Sequence, residues 1–170
     1  MVTNDTSAIA NKYDNKGLVM EQKLFEDGKS YAMVYGNDGN GRCVYSKIYN
    51  NNTGHYGDYD IQQMINYEYD AKGNMTTVSD SLNNSKVMAR YTYDSNDNLS
   101  SVTYGNGTST SYMYNKGNMI EKVTNNNADN TQMSYYSYEY YLDGNVSKQN
   151  RNGVNCYYDY DEFSRITDED

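Results

Sequence analysis

One phrase recurs along the chain and limits what it can fold into. Residues 67–78 read Y-E-Y-D-A-K-G-N-M-T-T-V, with Tyr67, Tyr69, Asp70 and Gly73 as its fixed points. Residues 91–102 repeat it as Y-T-Y-D-S-N-D-N-L-S-S-V, with Tyr91, Tyr93 and Asp94. Residues 112–123 give Y-M-Y-N-K-G-N-M-I-E-K-V, where aligning Gly117 with the motif glycine makes the turn one residue shorter and the following strand one longer. Tyr112 and Tyr114 open that copy. Later copies carry Tyr138, Tyr140 and Gly144, then Tyr158, Tyr160 and Asp161, and a plainer one upstream carries Tyr13, Asp14 and Gly17. The second tyrosines Tyr69, Tyr93, Tyr114, Tyr140 and Tyr160 are 24, 21, 26 and 20 residues apart. A period near 20 residues marks a repeat architecture.

Tyrosines two apart lie on one face of an extended chain, and tyrosine favours strands. Asp70 through Asn74 is turn chemistry: aspartate bonds its own backbone two residues on, while Gly and Asn accept positive φ. Residues 75–78 form a second short strand, so each copy is predicted to be one β-hairpin. Met75 and Val78 are three apart, which breaks strict alternation and calls for a bulge near the turn. One hairpin is marginal in water, so each needs its neighbours. The segments 79–89 and 124–134 are long enough for a return strand, over 86–90 and 132–136, or for a longer loop. The tyrosine series then reads first as the packing core, and Tyr69→Ala or Tyr93→Ala would cost about 3–5 kcal/mol if those rings are buried.

Composition narrows the function classes. The chain has 22 Tyr, 9 Met and no Pro or Trp among 170 residues, with mean hydropathy −1.02. Its 14% aromatic content argues against disorder. A net charge of −9 repels phosphate backbones, so nucleic acid is excluded as a partner. No apolar run suits a membrane span, and no leader is expected. Cys43 and Cys156 are too far apart for a local ligand pair, and no metal or cofactor is expected.

The copies run as a single array over 1–170, with an irregular or degenerate stretch at 36–66. Within it, residues 37–41 do not meet the calcium-loop spacing. His55 lacks an aligned nucleophile and reads as a loop residue. Asp58 with Asp60, and Asp159 with Asp161, place carboxylates in pairs, but the repeat itself explains them. No catalytic constellation remains, and the chain is read as a non-enzyme. Asn-x-Ser/Thr sites at Asn74, Asn98, Asn106 and Asn145 follow from composition.

The tandem Y-x-Y-D-x-x-G-N/R pattern, carried best by residues 67–74 and 91–98 and with its arginine variant at 158–165, resembles the YD repeat of the rearrangement-hotspot (Rhs) family, which includes bacterial wall-associated proteins, toxin-complex C subunits and teneurins. Asn115 and Tyr141 depart from the aspartate, and Asp97 and Ser164 from the glycine. The resemblance implies an all-β fold: antiparallel hairpins in a curved or spiral open sheet, one piece of a shell around a toxin or other cargo. It implies a structural segment of a large secreted or cell-surface bacterial protein, partnered by the rest of the same polypeptide and by an encapsulated toxin. The alternative is a carbohydrate- or surface-ligand-binding module using exposed tyrosines. Cut sheet edges would let the fragment pair edge to edge as a dimer. Some Rhs-type shells release cargo at an aspartate-proline motif; this chain has no proline, so that cleavage is not carried over.

Overall fold

The computed structural model describes residues 8–26, 29–51 and 60–170. All its regular structure is β. Among the described residues there are fourteen strands, and within each compact unit successive strands pair antiparallel. The chain divides into two compact units, Met1–Met88 and Ala89–Asp170. The first holds β1 (Ala8–Tyr13), β2 (Val19–Glu26), β3 (Lys29–Asn37), β4 (Cys43–Asn51), β5 (Asp60–Tyr69) and β6 (Met75–Asp80). Strand β7 (Lys86–Tyr93) leads into the second. That unit continues with β8 (Leu99–Tyr104), β9 (Ser109–Tyr114), β10 (Ile120–Asn126), β11 (Gln132–Tyr140), β12 (Val146–Arg151), β13 (Val154–Tyr160) and β14 (Ile166–Glu169). Residues 86–90 and 132–136 are strand, forming the first parts of β7 and β11 and running straight into the tyrosines that follow.

The repeat turns share one geometry. They start at Asp14, Asp38 and Asp70 in the first unit, and at Asp94, Asn115, Tyr141 and Asp161 in the second. The N–H of the first residue donates to the carbonyl four residues on, and the N–H of the fourth donates back to the first. The fourth residue takes positive φ: Gly17 81°, Gly41 83°, Gly73 101°, Asp97 64°, Asn118 63°, Gly144 92° and Ser164 58°. This is the short hairpin loop closed by a left-handed residue, a conformation that Gly adopts freely and Asn or Asp more readily than other residues.

Two details of the sequence reading change. The 112–123 turn is not shorter: the left-handed position is Asn118, and Gly117 sits one place before it without positive φ. Asn tolerates that conformation almost as well as Gly, so the turn keeps its length and the glycine is free to shift. The 36–66 stretch contains a regular copy, because Asp38 bonds Arg42 and Gly41 as Asp70 bonds Asn74 and Gly73. Its motif, Y-G-N-D-G-N-G-R from Tyr35, has Asn37 in place of the second tyrosine. Residues 27–28, 52–59 and hence His55 and Asp58 lie outside the described residues.

Each repeat hairpin carries the bulge that the Met75–Val78 spacing demands. Tyr69 faces Met75 while Glu68 faces Thr77, so Thr76 is skipped. The same slip occurs at Lys12/Tyr13, Thr92/Tyr93, Glu139/Tyr140 and Asp159/Tyr160. It returns Val78, opposite Tyr67, to the tyrosine face.

A single layer of strands cannot make a deep core. Among the described residues Ala32, Ile65, Ala89 and Val102 are the buried apolar ones, and no large side chain is fully buried. The repeat tyrosines Tyr67, Tyr69, Tyr91, Tyr93, Tyr112 and Tyr114 are half-buried, and Tyr13 is exposed. A single layer of strands leaves these rings half-buried rather than enclosed.

Candidate functional site

The turn aspartates work as local caps. Asp70 Oδ1 accepts the N–H groups of Lys72 at 2.9 Å and of Gly73 and Asn74 at 2.8 Å. Its Oδ2 accepts Asn74 Nδ2 at 3.2 Å. Asp94 does the same with Asn98 Nδ2 at 3.0 Å. In the arginine copies, Asp38 Oδ2 accepts Arg42 Nε at 2.7 Å, and Asp161 Oδ2 accepts Arg165 Nε at 2.7 Å. The Asn-or-Arg alternation after the glycine therefore has a cause: either side chain can reach the second carboxylate oxygen. The backbone N–H of Asn74 is foremost in holding Asp70 below the usual carboxylate range, that of Arg42 does so for Asp38, and the Arg165 guanidinium does so for Asp161.

The departures follow the same logic. Asn115 Oδ1 still accepts from Gly117 and Met119, at 2.9 and 3.0 Å. It has no second carboxylate oxygen, and Met119 stands where the paired Asn or Arg would be. Tyr141 cannot cap at all. Asp143 Oδ1 takes the N–H of Asn145 at 3.0 Å instead. The Tyr141 hydroxyl leaves its own turn and donates to Asp159 Oδ1 at 2.9 Å, its ring edge-on to Tyr160 at 6.3 Å.

The second tyrosine of a copy is a latch to the hairpin before it. Tyr69 Oη donates to the Cys43 carbonyl at 2.8 Å, Tyr114 Oη to Leu99 at 3.0 Å and Tyr140 Oη to Ile120 at 2.6 Å. Each acceptor is the first strand residue after the preceding repeat turn. Burial is foremost in pushing all three phenols up. The turns also touch each other. Lys16 Nζ donates to the Gly39 carbonyl at 2.9 Å, Asn98 and Asn118 exchange amide bonds, and Asn145 Nδ2 donates to Ser164 Oγ at 3.1 Å. The Arg42 guanidinium, held by Asp38, lies 4.7 Å over the Tyr69 ring of the next hairpin.

Among the sequence-predicted residues, Tyr69, Tyr114 and Tyr140 latch, Asp14, Asp70, Asp94 and Asp161 cap, and Gly17, Gly73 and Gly144 supply left-handed backbone. Tyr67 Oη meets Ser46 Oγ at 3.2 Å. Tyr138 and Tyr158 share Gln149. The sequence reading missed the latch, whose acceptor is backbone and leaves no residue signature. It also missed turns at Tyr104 and Asn127 on the other sheet edge, which use Gly107 and Asn130 in the left-handed position. Both cysteines are free; Cys43 donates to the Tyr45 carbonyl at 3.1 Å, and burial pushes its thiol up. Asp159 holds Tyr141 and Asp161 caps its turn, so that carboxylate pair is accounted for by fastening hairpins.

Residues 88–131 match the RHS repeat family. No curated protein matches the chain. Among solved structures, the chain is similar to the crystal structure of TcdB2–TccC3–Cdc42, with a TM-score of 0.73 and 14% identity over 91% of this chain and 9% of that one. TcdB2–TccC3 gives a TM-score of 0.73 at 14% identity, over 91% and 9%. TcdB2–TccC3 without its hypervariable C-terminal region gives 0.72 at 14%, over 91% and 8%. The likeness is one of fold, and the chain spans less than a tenth of those structures.

Proposed function

We propose that this RHS-repeat chain is a structural, non-enzymatic strip of a large Rhs-type polypeptide, forming part of a β wall. One observation carries the reading: in three copies the second tyrosine donates to the backbone of the hairpin before it, so that hydroxyl is spent on extending the array. The turn carboxylates are likewise used within and between turns. The partner is then the rest of the same polypeptide, and the wall encloses a toxin or similar cargo on the exterior of a bacterial cell. Electron microscopy of the full-length polypeptide tests this. A hollow β-walled particle with this segment in the wall is expected, and a solid or filamentous particle overturns it. Cell fractionation tests the exterior location, where recovery only from the cytoplasm counts against it.

A second reading is favoured by the rings left open on the sheet. Tyr104 is 44% and Tyr157 50% exposed, enough area for stacking on sugar faces. A glycan-array screen with calorimetry decides it: saturable binding lost in Tyr157→Ala supports a module, and a negative array removes it.

A further inference from the structure

The tyrosine face of the second unit is interrupted near its last strands by a cavity of about 490 Å³, within the range of small-molecule sites, roughly 300–1,000 Å³. It is lined by Gln149, Arg151, Val154, Cys156, Tyr158 and Glu169. The register lays these out in order. Arg151 faces Val154, Gln149 faces Cys156, and Glu169 faces Tyr158. Val154, Cys156 and Tyr158 alternate along β13 and form the floor. From Val154 to Tyr158 is about 13 Å at the rise of an extended strand, so a cationic group and an anionic group stand at opposite ends of an elongated site.

Arg151 is unlike Arg42 and Arg165, which are tied to turn aspartates. Its guanidinium lies 5.8 Å from the Tyr136 ring, and among the described residues it has no carboxylate partner. At the other end Glu169 Oε1 accepts only a weak bond from Cys156 Sγ, at 3.4 Å. The walls between are fixed: Tyr158 Oη donates to Gln149 Oε1 at 3.2 Å, and Gln149 Nε2 reaches Tyr138 Oη at 3.5 Å. The neighbouring Cys156 is foremost in pushing the Tyr158 phenol up to about 12, so it stays a neutral donor.

We propose that this cavity binds a flat aromatic carboxylate bearing a hydroxyl at its far end, the acid group on Arg151 and the hydroxyl donating to Glu169. A planar ring suits a shallow floor made by one strand, and a guanidinium pairs with a carboxylate in a planar, bidentate manner. The site is separate from the latches and caps that build the array.

The test is calorimetric titration of the chain with 4-hydroxycinnamate and with its neutral amide, for the wild type and for Arg151→Met. Met keeps the stem packed on Tyr136 and removes the charge. The expected result is saturable one-to-one binding of the acid, weakened about tenfold or more by the amide and by Arg151→Met, the scale of one charged hydrogen bond. Bound acid should also slow alkylation of Cys156, located by peptide mass mapping. Equal affinity of the wild-type chain for the acid and the amide overturns the proposal without recourse to any variant, as does the absence of saturable binding.

Discussion

Gly36 is the position where one methyl group should do most harm. It faces Tyr45 across the β3–β4 pair, and a Cβ built on it would lie 2.1 Å from Tyr45 Cε1 and 2.4 Å from Cζ. No real Cβ approaches so closely, so Gly36→Ala must drive the ring off the glycine. Lys47 Nζ, 4.9 Å from the ring centroid, would lose its contact as well. Overpacking of this kind costs about 1–3 kcal/mol, offset by about 0.5–1 kcal/mol because Ala suits a strand better than Gly. The net expectation is a loss of about 1–2 kcal/mol in urea denaturation followed by circular dichroism. Gly39 is the matched control, since a Cβ there meets nothing within 4 Å; Gly39→Ala should be neutral or stabilising by up to about 1 kcal/mol. In a Tyr45→Ala background Gly36→Ala should turn from destabilising to mildly stabilising, a coupling that a double-mutant cycle reads directly. If Gly36→Ala is as stable as the wild type while Tyr45 is present, the ring does not depend on that glycine and the reasoning fails.

Tyr69→Phe removes only the latch to Cys43 and should cost about 0.5–1.5 kcal/mol, while Tyr69→Ala should cost about 2–3 kcal/mol. The second figure replaces the larger loss expected of a buried ring; a measured loss above about 4 kcal/mol would show a core that the half-burial does not provide. Gly73, at φ 101°, has Arg42 Nη1 3.3 Å from any added Cβ, so Gly73→Ala should lose about 1–2 kcal/mol. Asn130→Gly, at φ 63°, should be close to neutral. Asp38, Asp70 and Asp161 all titrate below their unfolded value. Their contribution is therefore complete above about pH 4 and is lost as the pH falls through the folded values. Stability measured from pH 6 to pH 3 should fall less steeply in Asp70→Asn, which keeps the Oδ1 bonds as Asn115 does; an unchanged acid slope would refute the capping role.

The hairpins, their turns and the bulge were legible in the sequence because each is settled within about ten residues. Asp70 needs only the N–H groups of Lys72, Gly73 and Asn74, and Thr76 is skipped so that Val78 can rejoin Tyr67. The same local chemistry identifies the Asp38 copy once its geometry is seen, although Asn37 in place of tyrosine hid it. What tertiary structure decided is everything that depends on the neighbouring hairpin. The Tyr69 hydroxyl finds a carbonyl 26 residues back, a partner that any residue type at Cys43 could supply. Asn118, the left-handed fourth residue of its turn, exchanges amide bonds with Asn98 of the adjacent turn, a contact that no local pattern announces. The tyrosines stay half-buried because a single layer covers a ring mainly from the side, and no pattern along one strand records whether a second layer will arrive.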